Sequence, residues 1–279
     1  MNAGIADART FLFVPGDRPD RFGKAAASGA DVVILDLEDA ISPDHKAMAR
    51  EQVSRWLEQH QTVIRINGAG TAWQKDDIAM VTAHPGRAVA VMVPKAEDPE
   101  LLGSLSGRLP PQTGVIPLIE TAAGVTHAAS LCDLPGVIRP AFGSLDLAAQ
   151  LGVDHRQHQA LSWARSALVL AAAAAGCAAP IDGVTTDLAD HSVLLADLDH
   201  AVALGFTSKL CIHPSQVAVA NRRLTPARTE VEWARSVIAT ARGGAVGLLG
   251  SEFVDRPVVL RAEAILARAA RLDPRPSER

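Results

Sequence analysis

Short apolar runs rich in Val and Ile recur along this chain, and four of them stop at a charged or polar side chain: VVILDLED at 32–39, VIRIN at 63–67, VMVPK at 91–95 and VIPLIE at 115–120. Runs this short, separated by helix-like stretches, read as parallel strands buried on both faces in βα units. In such units the carboxyl ends of the strands form one face, where residues distant in sequence converge. Asp36, Glu38, Arg65, Lys95 and Glu120 are therefore expected to share one mouth. Counting runs at 11–14, 32–36, 63–66, 89–93, 115–119, 137–142, 179–182 and 207–211 gives eight strands, which predicts a closed TIM (β/α)8 barrel. A length of 279 residues fits such a barrel with a modest C-terminal helical extension.

The intervening helices are marked by capping and punctuation. After Ser42-Pro43, with Ser as cap and Pro in the first turn, KAMAREQVSRWLEQH offers Ala47, Val53, Trp56 and Leu57 as a buried stripe with charges opposite. Further helices are expected at 99–105, 121–131, 159–175 and 188–204, divided by Gly or Pro. The βα pattern ends near 224, so 1–224 reads as the catalytic barrel and 225–279 as a helix–hairpin–helix extension. The stripe Val259, Ala262, Ile265, Leu266 and Ala269 of its last helix needs a surface, from the barrel or from a neighbouring subunit. The terminal DPRPSER, polar and Pro-rich, is expected to be disordered.

Composition narrows the partners. A net charge of -4 offers no basic surface for a polyanion, which argues against nucleic acid. Three cysteines without a CxxC pair indicate neither a disulfide framework nor a thiolate zinc site, and suggest reduced thiols in a cytoplasmic protein. The N-terminus has no targeting pattern. The greasiest stretch, 167–181, is broken by Gly176 and Pro180 and is shorter than the roughly 20 residues of a membrane span, so no membrane partner is expected.

Among the strand-end residues, Glu120 and Asp146 would lie side by side on adjacent strands, where two crowded carboxylates suit a hard divalent ion; capping of the helices that follow them would explain them equally well. Arg65 calls for an anion, either a substrate carboxylate or the acids of DLED. Lys95 is either a structural partner of Glu97 or, less favoured, a Schiff-base nucleophile. Arg18, Arg21 and Lys24 cluster around a turn without a P-loop or dinucleotide pattern, and read as a solvated helix start pairing with Asp17 and Asp20. His84 and His213, each before a proline, are weak candidates.

Taken together, FLFVPGDRPDRFGKA, DVVILDLEDAI, VIRIN, VMVPKAE, PLIETA, AFGSLDLA, KLCIHPSQV and VDRPVVLRAEAIL resemble the CoA-ester lyases: citrate lyase β-subunits and malyl-CoA and citramalyl-CoA lyases of the HpcH/HpaI aldolase superfamily. The resemblance implies a barrel holding one Mg2+, or Mn2+, through Glu120 and Asp146, with Arg65 on the oxo-acid part of a CoA thioester and Glu38 and Asp36 supporting metal-bound water. It places Phe13, Arg18 and Lys24 against the CoA nucleotide, and Asp255 in the active site of an adjacent subunit of a trimer or hexamer. The chain departs from relatives at LLGSEF, where they often carry a DGKM-like turn. Three other functions fit these residues: a thioesterase of the same family, a class II aldolase acting on free pyruvate and aldehydes, and a carrier-dependent citrate lyase subunit.

Overall fold

The computed structural model describes residues 3–241, 247–249 and 252–272. Two compact units divide the chain, Met1–Arg222 and Arg223–Arg279, and each is described by itself. The first is a closed barrel of eight parallel strands in sequential order: β1 (Thr10–Pro15), β2 (Val32–Asp36), β3 (Thr62–Arg65), β4 (Ala88–Val93), β5 (Gly114–Ile119), β6 (Ala141–Phe142), β7 (Ile181–Asp182) and β8 (Ser208–Cys211). β8 returns to β1 through Thr10↔Lys209, Phe11↔Leu210 and Leu12↔Cys211.

Strand periodicity decides what the barrel presents at its mouth. Side chains alternate faces, so residues two apart share one. Phe11, Ile34, Val63, Ile116, Leu118, Ala141, Ile181 and Leu210 fill the barrel interior. Continuing those inward series toward the carboxyl ends brings Phe13, Asp36, Arg65, Glu120 and Gly143 to the same face. The hydrogen-bond ladder runs past the strand limits and fixes this register, with Leu37 N donating to Arg65 O, Ile66 N to Met92 O, Ala96 N to Leu118 O and Gly143 N to Ile119 O.

Some sequence expectations require correction. The sixth strand, expected at 137–142, is reduced to Ala141–Phe142 plus an isolated bridge between Val137 and Val115. Pro140 has no N–H for a ladder. Buried Arg139 instead donates to the carbonyls of Ile5, Ala6, Ala8 and Ala179, tying the start of the chain to the barrel floor. Ser42 makes no capping bond: a 3-10 turn, Pro43–His45, precedes the helix Lys46–Leu57. The buried face of that helix is Lys46, Ala49, Val53 and Leu57, whereas Ala47 is exposed. The helix expected at 121–131 splits into Ala122–Thr126 and Ala128–Cys132 at His127, whose Nδ1 lies 2.7 Å from Glu97 O. The helix expected from 188 begins at His191, because Asp190 caps it through Ser192 N.

In the second unit, helices Arg228–Ala241 and Arg256–Leu272 flank the hairpin β9 (Gly247–Leu249) and β10 (Glu252–Val254). Ala234, Val237, Val254 and Ala262 form its buried core, with Trp233, Val258, Val259, Ile265 and Leu266 packed around it. Val259, Ala262, Ile265 and Leu266 of the last helix's apolar stripe thus find a partner surface within their own unit, where the sequence reading looked to the barrel or a neighbouring subunit. The terminal 273–279 lies outside the described residues.

Candidate active site

Buried Asp36 organises the mouth. Its Oδ1 accepts from Arg65 Nε at 2.7 Å and its Oδ2 from Arg65 Nη2 at 2.6 Å, a two-point clasp that fixes the guanidinium plane. The same oxygens accept the backbone N–H of Glu38 at 2.9 Å and of Ala40 at 3.3 Å, so the acceptor capacity of Asp36 is spent within the chain. The third nitrogen of Arg65, Nη1, lies 3.0 Å from Glu38 Oε2. Phe13 stacks beneath the guanidinium, its ring centroid 4.8 Å from Arg65 Cζ. Burial opposes the charge on Arg65, but Asp36 and Glu38 outweigh it and hold its pKa above the ordinary arginine value.

Glu38 and Glu120 are joined through Lys95. Glu38 Oε1 accepts from Lys95 Nζ at 2.7 Å, and Glu120 Oε1 accepts from Lys95 N at 2.8 Å. Lys95 therefore pairs with Glu38, and at 3.8 Å with Asp39, rather than with Glu97 as one sequence reading held. Its pKa is raised, because Glu38 more than offsets the burial that would lower it. An ammonium so stabilised is a poor Schiff-base nucleophile.

Glu120, only 4 % exposed, has its carboxyl pushed by burial up to about 8, with the nearby charges of Asp146 and Glu38 adding to the shift and the Lys95 amide opposing it. Asp146 stands in the first turn of the helix Ser144–Leu151, which starts after Gly143. Gly143 is required there: a Cβ would fall 2.3 Å from Glu120 Cβ and 2.5 Å from its Oε2. The missing side chain lets the Glu120 carboxylate and the Asp146 helix approach one another.

These groups line a cavity of about 350 Å3 with Phe13, Pro15, Asp36, Arg65, Glu120 and Asp146 among its walls. A second cavity of about 640 Å3 opens beside it, bounded by Glu38, Lys46, Trp73 and Lys95. The donor set fits a hard divalent cation. Burial, Asp146 and Glu38 together outweigh the effect of Lys95 on the Glu120 carboxyl, and Glu38 Oε2 is buried without a hydrogen-bond partner despite its proximity to Arg65. Glu120 and Asp146 could hold the ion. Among the described residues no ready-made cage of three or more His, Cys, Asp or Glu ligands exists, so water or substrate oxygens would complete the coordination.

Arg18, Lys24, His84 and His213 are not among the residues that line the smaller cavity. Arg18, half-exposed, forms a two-point pair with Asp20 at 2.9 Å, and Lys24 is exposed in the last turn of the helix Pro19–Ala26. Asp255 belongs to the second unit, where it caps the last helix through Val258 N at 3.3 Å. His213 turns back on Ser215 and His84 on Met80 O, both structural contacts.

Two buried groups escaped the sequence reading. Lys46, assigned to a solvated face, donates to Leu37 O, Glu38 O and Asn67 Oδ1 at 2.7–2.8 Å and so braces the backbone behind Glu38. Asp182, with no exposure, binds Arg165 Nε at 2.9 Å and Lys209 Nζ at 2.8 Å. The signal for the second was present, since a lysine inside the apolar run SKLC requires a buried anion.

Known proteins share this arrangement of sequence. The profile of the HpcH/HpaI aldolase/citrate lyase family matches residues 9–214. The chain belongs to that family. A citrate lyase subunit beta-like protein of Mycobacterium tuberculosis is 39% identical over 270 residues, covering 93% of this chain and 94% of the relative. The L-malyl-CoA/beta-methylmalyl-CoA lyase of Cereibacter sphaeroides is 32% identical over 302 aligned positions, covering 94% of each. The crystal structure of CitE from M. tuberculosis in complex with magnesium, acetoacetate and coenzyme A superposes with a TM-score of 0.82 at 36% identity, covering 95% of this chain and 99% of that one. Within the HpcH/HpaI family the chain is a lyase, and none of its described helices is long and apolar enough to cross a membrane.

Proposed function

We propose that the chain cleaves the carbon–carbon bond of a 3-hydroxyacyl-CoA thioester of malyl, citramalyl or citryl type, giving a 2-oxo acid and an acyl-CoA, with Mg2+ held by Glu120 and Asp146. The observation that carries this reading is the buried Glu120, its carboxyl raised by burial with Asp146 and Glu38 adding to the shift, in one cavity with Arg65 and Asp146. The magnesium and coenzyme A named for the related CitE complex support it.

Arg65, immobilised by Asp36, offers its remaining N–H groups to the substrate carboxylate. Preorganisation by Asp36 means that little rotamer entropy is lost on binding. When bound, the cation supplies Lewis-acid polarisation of the hydroxyl and carboxylate oxygens. As the bond between C2 and C3 breaks, its electron pair moves onto the thioester as an enolate, and the hydroxyl, giving up its proton to solvent, becomes the carbonyl of the oxo acid. Phe13 and Leu118 keep the cavity wall apolar and limit water near that enolate. Arg18 and Lys24 bind the CoA phosphates, and Asp255 of a neighbouring copy in a cytoplasmic trimer or hexamer donates a proton to the enolate carbon and is reprotonated from solvent.

A cleavage assay with Mg2+ on malyl-, citramalyl- and citryl-CoA, following oxo acid and free thiol separately, tests this. Oxo acid without thiol is expected for one of the three. Thiol without oxo acid would make the chain a thioesterase, and undiminished turnover in EDTA would remove the metal from the scheme.

A further inference from the structure

Lys95 is the one residue other than glycine with a left-handed backbone among the described residues, at φ 49°. That region disfavours an L side chain by about tenfold or more relative to glycine. Glycine would make the turn more readily, so the side chain has to return something for its cost.

Its contacts show what is gained. The main chain gives its N–H to Glu120 Oε1 at 2.8 Å, while the next amide, Ala96 N, closes onto Leu118 O at 3.1 Å. The side chain reaches the opposite way, to Glu38 Oε1 at 2.7 Å. Glu120 follows β5 and Glu38 follows β2, so a single residue after β4 links two acids from separate strand ends. With Oε1 occupied by an amide, Glu120 keeps Oε2, the oxygen packed against Gly143 at the start of the helix carrying Asp146.

We propose that Lys95 is a positioning residue of the cation site: its amide selects the Glu120 rotamer that offers Oε2 beside Asp146, and its ammonium keeps Glu38 from becoming a competing ligand. The inference rests on the assignment of Glu120 and Asp146 as cation ligands. It assigns two separable tasks to one residue, and substitutions can divide them. Lys95→Met removes the ammonium and keeps an unbranched chain at the turn. Lys95→Val removes the ammonium and adds a β-branch that the left-handed region rejects.

The test is titration of the full-length protein with Mn2+ alone, followed by electron paramagnetic resonance, together with KM and kcat for the cleaved thioester. Lys95→Met is expected to bind Mn2+ several-fold more tightly, since a cation leaves and Glu38 is freed, and to raise KM for the anionic thioester about tenfold; Lys95→Arg restores both. Lys95→Val is expected to bind Mn2+ about tenfold more weakly than Lys95→Met. Should Lys95→Val fail to fold, Lys95→Gly, which keeps the turn and the amide, is expected to match Lys95→Met in Mn2+ affinity.

Wild-type KM and Mn2+ affinity in Lys95→Met would overturn the ammonium role. Equal Mn2+ affinity in the Val and Met variants, or an affinity in Lys95→Gly well below that of Lys95→Met, would overturn the amide role. A wild-type protein that takes up no Mn2+ defeats the cation assignment itself, which is a different failure.

Discussion

Two charge clusters occupy opposite faces of the same barrel wall, and they are built on opposite logic. Asp182 and Lys209 neighbour the inward-facing Ile181 and Leu210, so alternation turns them outward to the helix layer, where Arg165 meets them. That triad sets one anion between two cations, each no more than 5% exposed. Asp36, Arg65 and Glu120 follow the inward series and end at a cavity, where carboxylates outnumber the cations that reach them. The triad, buried between strands and helix, serves the fold, although Arg165 Nη1 finds no hydrogen-bond partner there. A cluster left with surplus negative charge and an open wall serves a ligand.

Substituting Glu120→Gln should break the mouth while sparing the fold. A loss of about 10^3-fold in kcat/KM, roughly 4 kcal/mol, and loss of Mn2+ binding are expected, with stability to denaturant unchanged near neutral pH, because burial already favours the protonated Glu120 carboxyl there. Unfolding of this variant would erase the distinction between the two clusters. Next in size, Asp182→Asn strands two buried cations and should cost about 3–5 kcal/mol in urea denaturation. Its KM should stay within about twofold of wild type, since the triad faces away from the cavity.

Acidity separates the clusters by sign. Burial works against the Asp182 carboxylate, but Lys209 and Arg165 prevail and lower its pKa, so its contribution is present above the ordinary aspartate value and lost as pH falls through the folded one. Glu120 behaves inversely: its folded pKa of about 8 exceeds the ordinary value, so its contribution favours the fold at low pH and is lost as pH rises toward 8. The Mg2+-induced rise in Tm should therefore grow between pH 6 and 8.5, up to about tenfold in apparent affinity per pH unit below 8. A flat response would mean that Glu120 is not a ligand. The smallest effect concerns the rim: Arg18→Ala should raise KM for the CoA ester several-fold without moving Tm, because its pair with Asp20 is solvent-exposed.

The mouth was legible in the sequence because a polar residue that ends an apolar strand has one place to go. The same rule, applied to PID at 180–182, would have flagged Asp182, but its partners lie on the helix Ser162–Ala175 and inside β8, and spacing carries no information about which face a helix turns inward. Lys46 was misread for a related reason: its aliphatic stem follows the buried stripe while its ammonium finds carbonyls rather than water. The truncation of the sixth and seventh strands was encoded in Pro140 and Pro180, which apolar content alone overrides.

That truncation leaves β6 and β7 joined through one residue pair, Ala141↔Ile181, whereas β1 and β2 share five. A ring of staves has no free edge, so any excursion from the closed state must part a joint, and the joint with the fewest backbone bonds parts first. Arg139, which reaches Ala179 O across this seam, and Arg165, whose guanidinium lies over Phe142 of β6 while its Nε binds Asp182 of β7, act as rivets across a join that the ladder alone would leave loose.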